Sequence, residues 1–415
     1  MREMKDSGIE WIGDIPVSWK IMPNKYLMRK EKKICPVYHG EDILSLTMKG
    51  VIVRDLDAGG KMPTSFDGYQ RLEAGNLLMC LFDIDVTPRC VGLIKQAGVS
   101  SPAYSQFVLR KGADAAYYCY YYTMLDNDKT LLHLAKNLRH SLTEDQLGAI
   151  PVIVPPIEEQ QRIADFLDTK CAEIDALTAD IQTQIDTLEQ YKRSVITETV
   201  TKGLNPDAEM KDSGIEWVGK MPLAWDAVPN KYLMYKVKNI CPVYNGEDIL
   251  SLTTNGVIIR DLNGGGKMPT SFDGYQKVTP GNLLMCLFDI DVTPRCIGLV
   301  KNFGLTSPAY SQFVMRTGAY APYYYYYYLM VDYTKELLHM AKNLRHSLTE
   351  DQLGAIKAPN PPYEEQVQIA EFLDKKCVEI NLVIEDKNRQ LATLDEYKKS
   401  LIFEYVTGKK EVPTS

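Results

Sequence analysis

Catalytic equipment is what this 415-residue chain lacks. It has no G-x-x-x-x-G-K-[ST] phosphate loop, no H-E-x-x-H zinc helix, no G-x-S-x-G elbow and no G-x-G-x-x-G dinucleotide turn. Those absences remove the commonest routes to nucleotide, metalloprotease and esterase chemistry. Histidine is scarce at five residues, and His133, His140, His339 and His346 stand in no ligand-spaced cluster, so surface or core roles are expected. The nine cysteines are scattered with no C-x-x-C pair, which fits reduced thiols better than a zinc site or a disulfide framework. No apolar run approaches the roughly 20 residues that cross a bilayer. The opening Met1-Arg2-Glu3-Met4-Lys5-Asp6 is charged, so no export signal and a cytoplasmic location are expected.

What the chain has instead is a copy of itself. Residues 4–209 overlay residues 210–415 at a constant offset of 206, without a gap. Met4 to Trp11 returns as Met210 to Trp217 with the single-letter text unchanged, Lys61 to Gln70 returns as Lys267 to Gln276, and Leu81 to Cys90 as Leu287 to Cys296. A self-similar chain folds as two copies of one unit, and paired units usually meet about a two-fold axis.

The formal net charge of −7 is unevenly spread. Residues 1–150 carry 19 basic and 18 acidic side chains, and residues 210–356 carry 14 and 13. The acid lies in 151–209 (5 basic, 12 acidic) and in 357–415 (9 and 11). Two nearly neutral globular units therefore alternate with two acidic segments. Overall acidity argues against a non-specific nucleic-acid coat but allows a local basic face on each globule.

Within one globule the text reads as short strands and turns. Ile43 to Thr47, Val51 to Val53 and Leu77 to Phe82 are apolar or β-branched runs, punctuated by Gly50, Gly59-Gly60, Asp67-Gly68 and Gly75-Asn76. Helical spacing follows over Leu131 to Leu138, and Thr143-Glu144-Asp145-Gln146 predicts a capped helix start. Tyrosine runs stand at Tyr117, Tyr118, Tyr120–Tyr122 and at Tyr323–Tyr328. Such runs either stack on bases or pack one face on a core with their hydroxyls to water, and the second is expected here.

The last third of each repeat is a rod. Pro155-Pro156 stops the preceding chain, and Glu158-Glu159 sit where a helix N-terminus favours acid. Ile163, Leu167, Ile174, Leu177, Ile181, Ile185, Leu188 and Val195 then recur at steps of three and four, with Gln160, Asp168, Glu173, Asp180 and Lys192 on the outer faces. About 45 residues at 1.5 Å each make a rod of roughly 65 Å. The copy keeps the stripe through Ile369, Leu373, Ile380, Val383, Leu391, Leu394 and Leu401. A single apolar stripe needs a partner, and its twin supplies one. The short connection from Thr201 to Glu209 favours antiparallel pairing.

Asn360-Pro361-Pro362-Tyr363 matches the N-P-P-Y motif with which amino-methyltransferases hold a flipped adenine. That chemistry also needs a glycine-rich cofactor loop after a strand, which is missing. The other copy reads Val154-Pro155-Pro156-Ile157, so a structural role ahead of the rod is expected.

Two stretches carry a family likeness. Gly13-Asp14-Ile15-Pro16 with Trp19 opens the unit, echoed by Gly219-Lys220-Met221-Pro222 with Trp225. Pro155-Pro156-Ile157-Glu158-Glu159-Gln160-Gln161-Arg162-Ile163-Ala164-Asp165-Phe166-Leu167-Asp168 opens the rod, echoed from Pro361 to Asp374. The chain resembles the specificity subunit of type I restriction–modification enzymes over essentially its whole length. The resemblance implies an α+β fold with two target-recognition domains, at 1–154 and 206–360. Between them it implies a long antiparallel two-helix coiled coil from 155–205 and from 361–415, the latter with a C-terminal tail, all arranged with pseudo-two-fold symmetry. It further implies a non-catalytic subunit that reads a split site in double-stranded DNA, docks two methyltransferase subunits and is joined by two motor–nuclease subunits. S-adenosylmethionine, ATP and Mg would belong to those partners, and no membrane is involved. In many relatives the two recognition domains are unrelated, whereas here they are near duplicates.

Matched readers about a pseudo-dyad imply a bipartite, nearly palindromic site, because operator symmetry mirrors protein symmetry. The replacements Met48-Lys49 by Thr254-Asn255, Asp57-Ala58 by Asn263-Gly264 and Lys111 by Thr317 allow the halves to differ at a base position. One heptad added to each rod is expected to lengthen it by about 10 Å, or about three base pairs of gap. Base reading calls for exposed donors and acceptors on loops. The candidates are Lys61, Thr64, Ser65 and Tyr69 from Lys61 to Gln70; Arg89 from Asp83 to Arg89; Ser105 and Gln106 after Tyr104; and Arg139, beside Lys136 and His140. Their copies are Lys267, Thr270, Ser271, Tyr275, Arg295, Ser311, Gln312 and Arg345. The rival readings are a stand-alone DNA-binding or scaffold protein of another defence system, and, last, an adenine methyltransferase built around Asn360.

Overall fold

A computed structural model describes residues 2–57, 63–87, 89–135, 140–262, 269–293, 295–341 and 346–413. The chain divides into two compact units, Met1–Ile181 with Asn388–Ser415, and Gln182–Lys387. Both dividing lines fall inside a long helix, so each unit combines one globule with part of each rod.

In the first unit a four-stranded antiparallel sheet runs in the order Met28–Glu31, Ser105–Leu109, Leu77–Met79, Val91–Leu93. A hairpin of Leu44–Thr47 and Gly50–Val53 stands beside it, and Lys20–Pro23 pairs with Pro151–Val154. The apolar run expected to continue to Phe82 ends as strand at Met79. The backbone turns at Asp83, whose φ of 47° lies in the left-handed region and breaks the ladder. Helices α1 (Ala115–Asn127), α2 (Thr130–Leu134) and α3 (Glu144–Ala149) follow the sheet. At α3 the Thr143 side chain accepts from the Gln146 N–H while the Gln146 side chain accepts from the Thr143 N–H, closing the expected capping box.

The tyrosines of α1 form the centre of the core. Tyr117, Tyr118, Tyr121 and Tyr122 are fully buried and meet edge-to-face, with centroids 5.0 to 6.1 Å apart. Their hydroxyls do not reach water, which corrects the sequence expectation. Instead each donates inward: Tyr117 to the Val406 carbonyl at 2.8 Å, Tyr118 to Ile153 at 3.1 Å, Tyr121 to Pro151 at 3.4 Å and Tyr122 to Asn24 Oδ1 at 2.6 Å. Burial of a phenol is tolerated when its proton has an acceptor.

Helix α4 (Ile157–Lys202) starts two residues after Pro155, with Glu158 and Glu159 in its first turn. Ile163, Leu167, Cys171 and Ile174 enter the core, where Leu401, Ile402, Tyr405 and Val406 join them. Phe166 meets Tyr405 at 4.4 Å and Lys398 pairs with Asp175 at 2.5 Å, so rising numbers on one helix meet falling numbers on the other. The two helices are antiparallel, as the short connection requires. Leu177, counted with the stripe, is 47% exposed, whereas Gln160, assigned to an outer face, is fully buried. The Gln160 amide donates to the Gly112 and Pro155 carbonyls and accepts from the Asp114 N–H, which ties the helix start to the approach to α1.

The second unit repeats this plan. Its sheet runs Met234–Val237, Ser311–Met315, Leu283–Met285, Ile297–Leu299. Helices α5 (Ala321–Tyr333), α6 (Glu336–Met340), α7 (Glu350–Ala355) and α8 (Tyr363–Val406) complete the chain. Tyr323 donates to the Val200 carbonyl at 3.0 Å, and Lys192 of α4 donates to Asn381 of α8 at 3.0 Å, again with the helices opposed. Val383, placed on the stripe, is 46% exposed. No helix among the described residues is long and apolar enough to cross a membrane.

Candidate nucleic-acid interface

The first candidate loop is held by its own side chains. Asp67 Oδ1 accepts from the Tyr38 N–H at 2.7 Å and Ser65 Oγ accepts from the Asp67 N–H at 3.0 Å. The Tyr38 N–H first, and the Ser65 hydroxyl second, hold the Asp67 carboxyl below its ordinary range. Phe66 sits edge-on between Tyr38 and Tyr69, at 5.2 and 5.3 Å. The loop therefore exposes Thr64 and Ser65 on a fixed base, with Tyr69 half-buried against it. Thr270, Ser271 and Tyr275 stand the same way in the copy. Lys61 and Lys267, also named as candidates, lie outside the described residues, as do Lys136, Arg139 and Arg345.

The second loop, after Leu81, is clamped from behind. Asp126 of α1, 3% exposed, accepts from the Cys90 N–H at 2.9 Å and pairs with Lys129 at 3.1 Å and with Arg89 at 3.6 Å. The Lys129 ammonium also donates to the Thr87 carbonyl at 3.2 Å, and the Ile84 N–H donates to the His140 carbonyl at 3.1 Å. His140 Nδ1 lies 3.0 Å from Asp85 Oδ2, and that bond lowers the Asp85 carboxyl. Asp83, Lys129 and His140 all adopt positive φ, backbone strain concentrated around one loop. The outcome is an exposed tip bearing Val86, 73% exposed, with its backbone pinned. Arg89 borders the same loop but is largely occupied. Its side chain is 17% exposed and donates to Asn127 Oδ1 at 3.0 Å, so it braces the loop rather than presenting a free fork. Arg295 is 15% exposed, 3.8 Å from Asp332 and 5.5 Å from the Tyr333 ring centroid.

The third candidate is corrected by burial. Ser105 and Gln106 lie in the middle sheet strand with 8% and 0% exposure, and Ser311 and Gln312 with 8% and 2%. Gln106 Oε1 accepts from the Glu73 N–H and its amide donates to the Arg71 carbonyl, so the group secures a neighbouring turn and has no face for DNA. Asn360 is likewise occupied, accepting from the Tyr324 hydroxyl at 2.8 Å and from Gln366 at 3.2 Å. It joins the last strand to α8, the structural role expected of it.

One element was missed among the candidates. The hairpin turn Thr47 to Gly50 borders the second loop, and together they enclose a depression of about 370 Å³ lined by Thr47, Met48, Phe82, Val86, Thr87 and Tyr104. Phe82 and Tyr104 stack across it at 6.4 Å. The paired replacement of Met48-Lys49 by Thr254-Asn255 was its signal in the sequence. Exposed hydroxyls, an ammonium and a valine methyl on fixed loops are the group types that contact phosphates, base edges and thymine methyls. No cluster of three or more potential metal ligands occurs among the described residues.

Comparisons with known proteins agree with this arrangement. A family model described as the type I restriction modification DNA specificity domain matches residues 91–187. Two curated relatives come from Methanocaldococcus jannaschii. The type I restriction enzyme MjaVIII specificity subunit is 26% identical over 284 residues, 63% of each chain. The putative type I restriction enzyme MjaX specificity subunit is 25% identical over 295 residues, 66% of this chain and 62% of that one. The match thus spans a little under two thirds of these relatives. A solved structure described as the structural basis of complex assembly and conformational transition of the type I R-M system shares the fold, with a TM-score of 0.70 at 12% identity, covering 95% of this chain and 99% of that one. The domain match, the curated relatives and the shared fold, together with the doubled globule-and-helix plan, make the chain similar to the specificity subunits of type I restriction–modification enzymes.

Proposed function

We propose that the chain is the sequence-reading subunit of a type I restriction–modification complex and performs no chemistry itself. The observation that carries this reading is the repetition of one pinned loop set. Asp126 and Asp332 hold corresponding loops through the same contacts, to Cys90 and Lys129 and to Cys296 and Lys335. Two matched readers recognise two halves of one word, one half each, as inverted or nearly inverted repeats. Residues 1–154 and 206–360 act as target-recognition domains in double-stranded DNA. Thr64, Ser65 and Tyr69 with their copies serve as contacts in the first loop, and Lys61, Arg139, Lys267 and Arg345 are kept as candidates. Arg89 and Arg295 act through the loops they brace.

The long helices serve as the dock for two methyltransferase subunits, with two motor–nuclease subunits joining. Exposed apolar side chains along them, Leu177 and Tyr397 in the first unit and Val378 and Leu382 in the second, are the surface expected of such a dock. S-adenosylmethionine, ATP and Mg act in those partners, in the cytoplasm. Co-expression with a methyltransferase subunit, followed by size-exclusion chromatography with light scattering, tests the assignment. A stable complex with two methyltransferase chains per specificity chain is expected. A chain that binds DNA alone and never retains a methyltransferase would instead be the stand-alone DNA-binding protein of another system.

A further inference from the structure

The two globules carry different side chains on hairpins of one register. The hairpin Leu44–Thr47/Gly50–Val53 and its copy share one register, Thr47 opposite Gly50 and Thr253 opposite Gly256. In each turn the threonine hydroxyl donates to the glycine carbonyl at 3.0 Å and accepts from the second turn residue, from the Lys49 N–H at 3.1 Å and the Asn255 N–H at 3.2 Å. Gly50 and Gly256 close the turns at φ of 88° and 93°, where a side chain would be strained.

Both hairpins are seated on the sheet by a second glycine. A Cβ on Gly92 would come within 2.8 Å of Leu46 and Val51, and one on Gly298 within 2.6 Å of Leu252 and Val257. The pedestal keeps its register and its glycines in both units; beyond the tip the hairpins differ only by Val53 against Ile259. In the first unit the tip carries Met48, 60% exposed, and an exposed Lys49; in the second it carries Thr254 and Asn255. Neither the Lys49 ammonium nor the Asn255 carboxamide has a hydrogen-bond or ion-pair partner among the described residues, in contrast to the occupied Arg89. Met48 lines the same depression as Val86 and Thr87 of the pinned loop.

We propose that this turn is a specificity-determining element at which the two half-words differ, with Lys49 reading guanine and Asn255 reading adenine. The proposal rests on the DNA-reading function above. Its chemistry is that of major-groove base edges: lysine donates to guanine O6 and N7, whereas asparagine both donates to and accepts from adenine N7 and N6. Met48 and Thr254 flank the reader and shape the neighbouring contact.

The test is selection of bound duplexes from a randomised pool by the full-length chain, compared with M48T/K49N and T254M/N255K. Each swap places in one hairpin a tip that the other hairpin already carries. The unaltered chain is expected to select a two-part word whose halves disagree at one base pair, guanine against adenine. M48T/K49N should select adenine in both halves and T254M/N255K guanine in both, with the original duplex bound on the order of tenfold to a hundredfold more weakly. K49A should relax the choice at that position alone. A selected word unmoved by the swaps, or by K49A where a swap abolishes binding, overturns the assignment of the hairpin and leaves the DNA-reading function standing. An unaltered chain that selects no two-part word removes that function, and the hairpin proposal with it.

Discussion

Trp19 Nε1 donates a 3.0 Å hydrogen bond to Glu159 Oε2, joining the opening of the globule to the first turn of the long helix. Trp225 and Glu365 make the same bond at 2.9 Å. Both partners belong to the motifs that carry the family likeness, and their distance in sequence conceals that they form one joint. Arg2 reinforces it, pairing with Glu159 and lying over the Trp19 ring at 5.4 Å. Trp19→Phe removes the donor and part of a fully buried ring, and is expected to destabilise the chain by about 2–4 kcal/mol. Urea unfolding measures it, and a change below about 0.5 kcal/mol would be the signature of an inert surface position.

Gly408, just beyond α8, has φ of +71°, and a Cβ there would meet Pro16 at 2.7 Å and Trp19 at 2.8 Å. Gly8 has φ of +65° with nothing within 4 Å. Gly8→Ala is expected to cost about 1 kcal/mol for the left-handed backbone alone, and Gly408→Ala about 2–4 kcal/mol because packing strain is added. Equal melting temperatures for the two variants would show that the C-terminal turn does not dock where the geometry puts it.

Asp126 is a buried carboxylate shared by Lys129, Arg89 and the Cys90 N–H. Because Lys129 is 36% exposed, water softens the loss of its partner. Asp126→Ala is expected to destabilise by about 2 kcal/mol and to weaken DNA binding further by freeing the Asp83–Thr87 loop. Thermal unfolding and DNA affinity, read together, check this. Affinity unchanged in a folded variant would detach that loop from recognition.

Burial raises the ionisation of Tyr117, Tyr122, Tyr323 and Tyr328 well above the ordinary phenol value of 10.0. A raised folded-state value means that stability is fully present below the unfolded value near 10. It is lost as pH rises beyond that, because only the unfolded chain then releases those protons freely. Alkaline titration is expected to show these phenolates absorbing only as the circular dichroism of the fold disappears. Ionisation with the fold intact would contradict the inward hydroxyl bonds.

The long helices were legible because a step of three and four residues repeats without proline or glycine, and the Thr143–Gln146 capping box because its spacing is a local code. Long-range partners were not. Leu177 fits the stripe yet faces water, while Gln160 is polar yet buried, because the globule supplies acceptors and a donor that periodicity cannot show. Gln106 misled for the same reason: a polar side chain near a turn reads as exposed, although the Glu73 N–H and Arg71 carbonyl hold it inside. The second loop was found in the text, but its clamp was invisible there, since Asp126 lies 36 residues from Cys90.

Long-read mapping of methylated bases, in cells co-expressing this chain with a type I methyltransferase subunit, tests the central claim most directly. A single two-part motif whose halves are inverted repeats, or differ at one base pair, is the result predicted from two matched units. Two unrelated half-words, or methylation that does not depend on this chain, would contradict it.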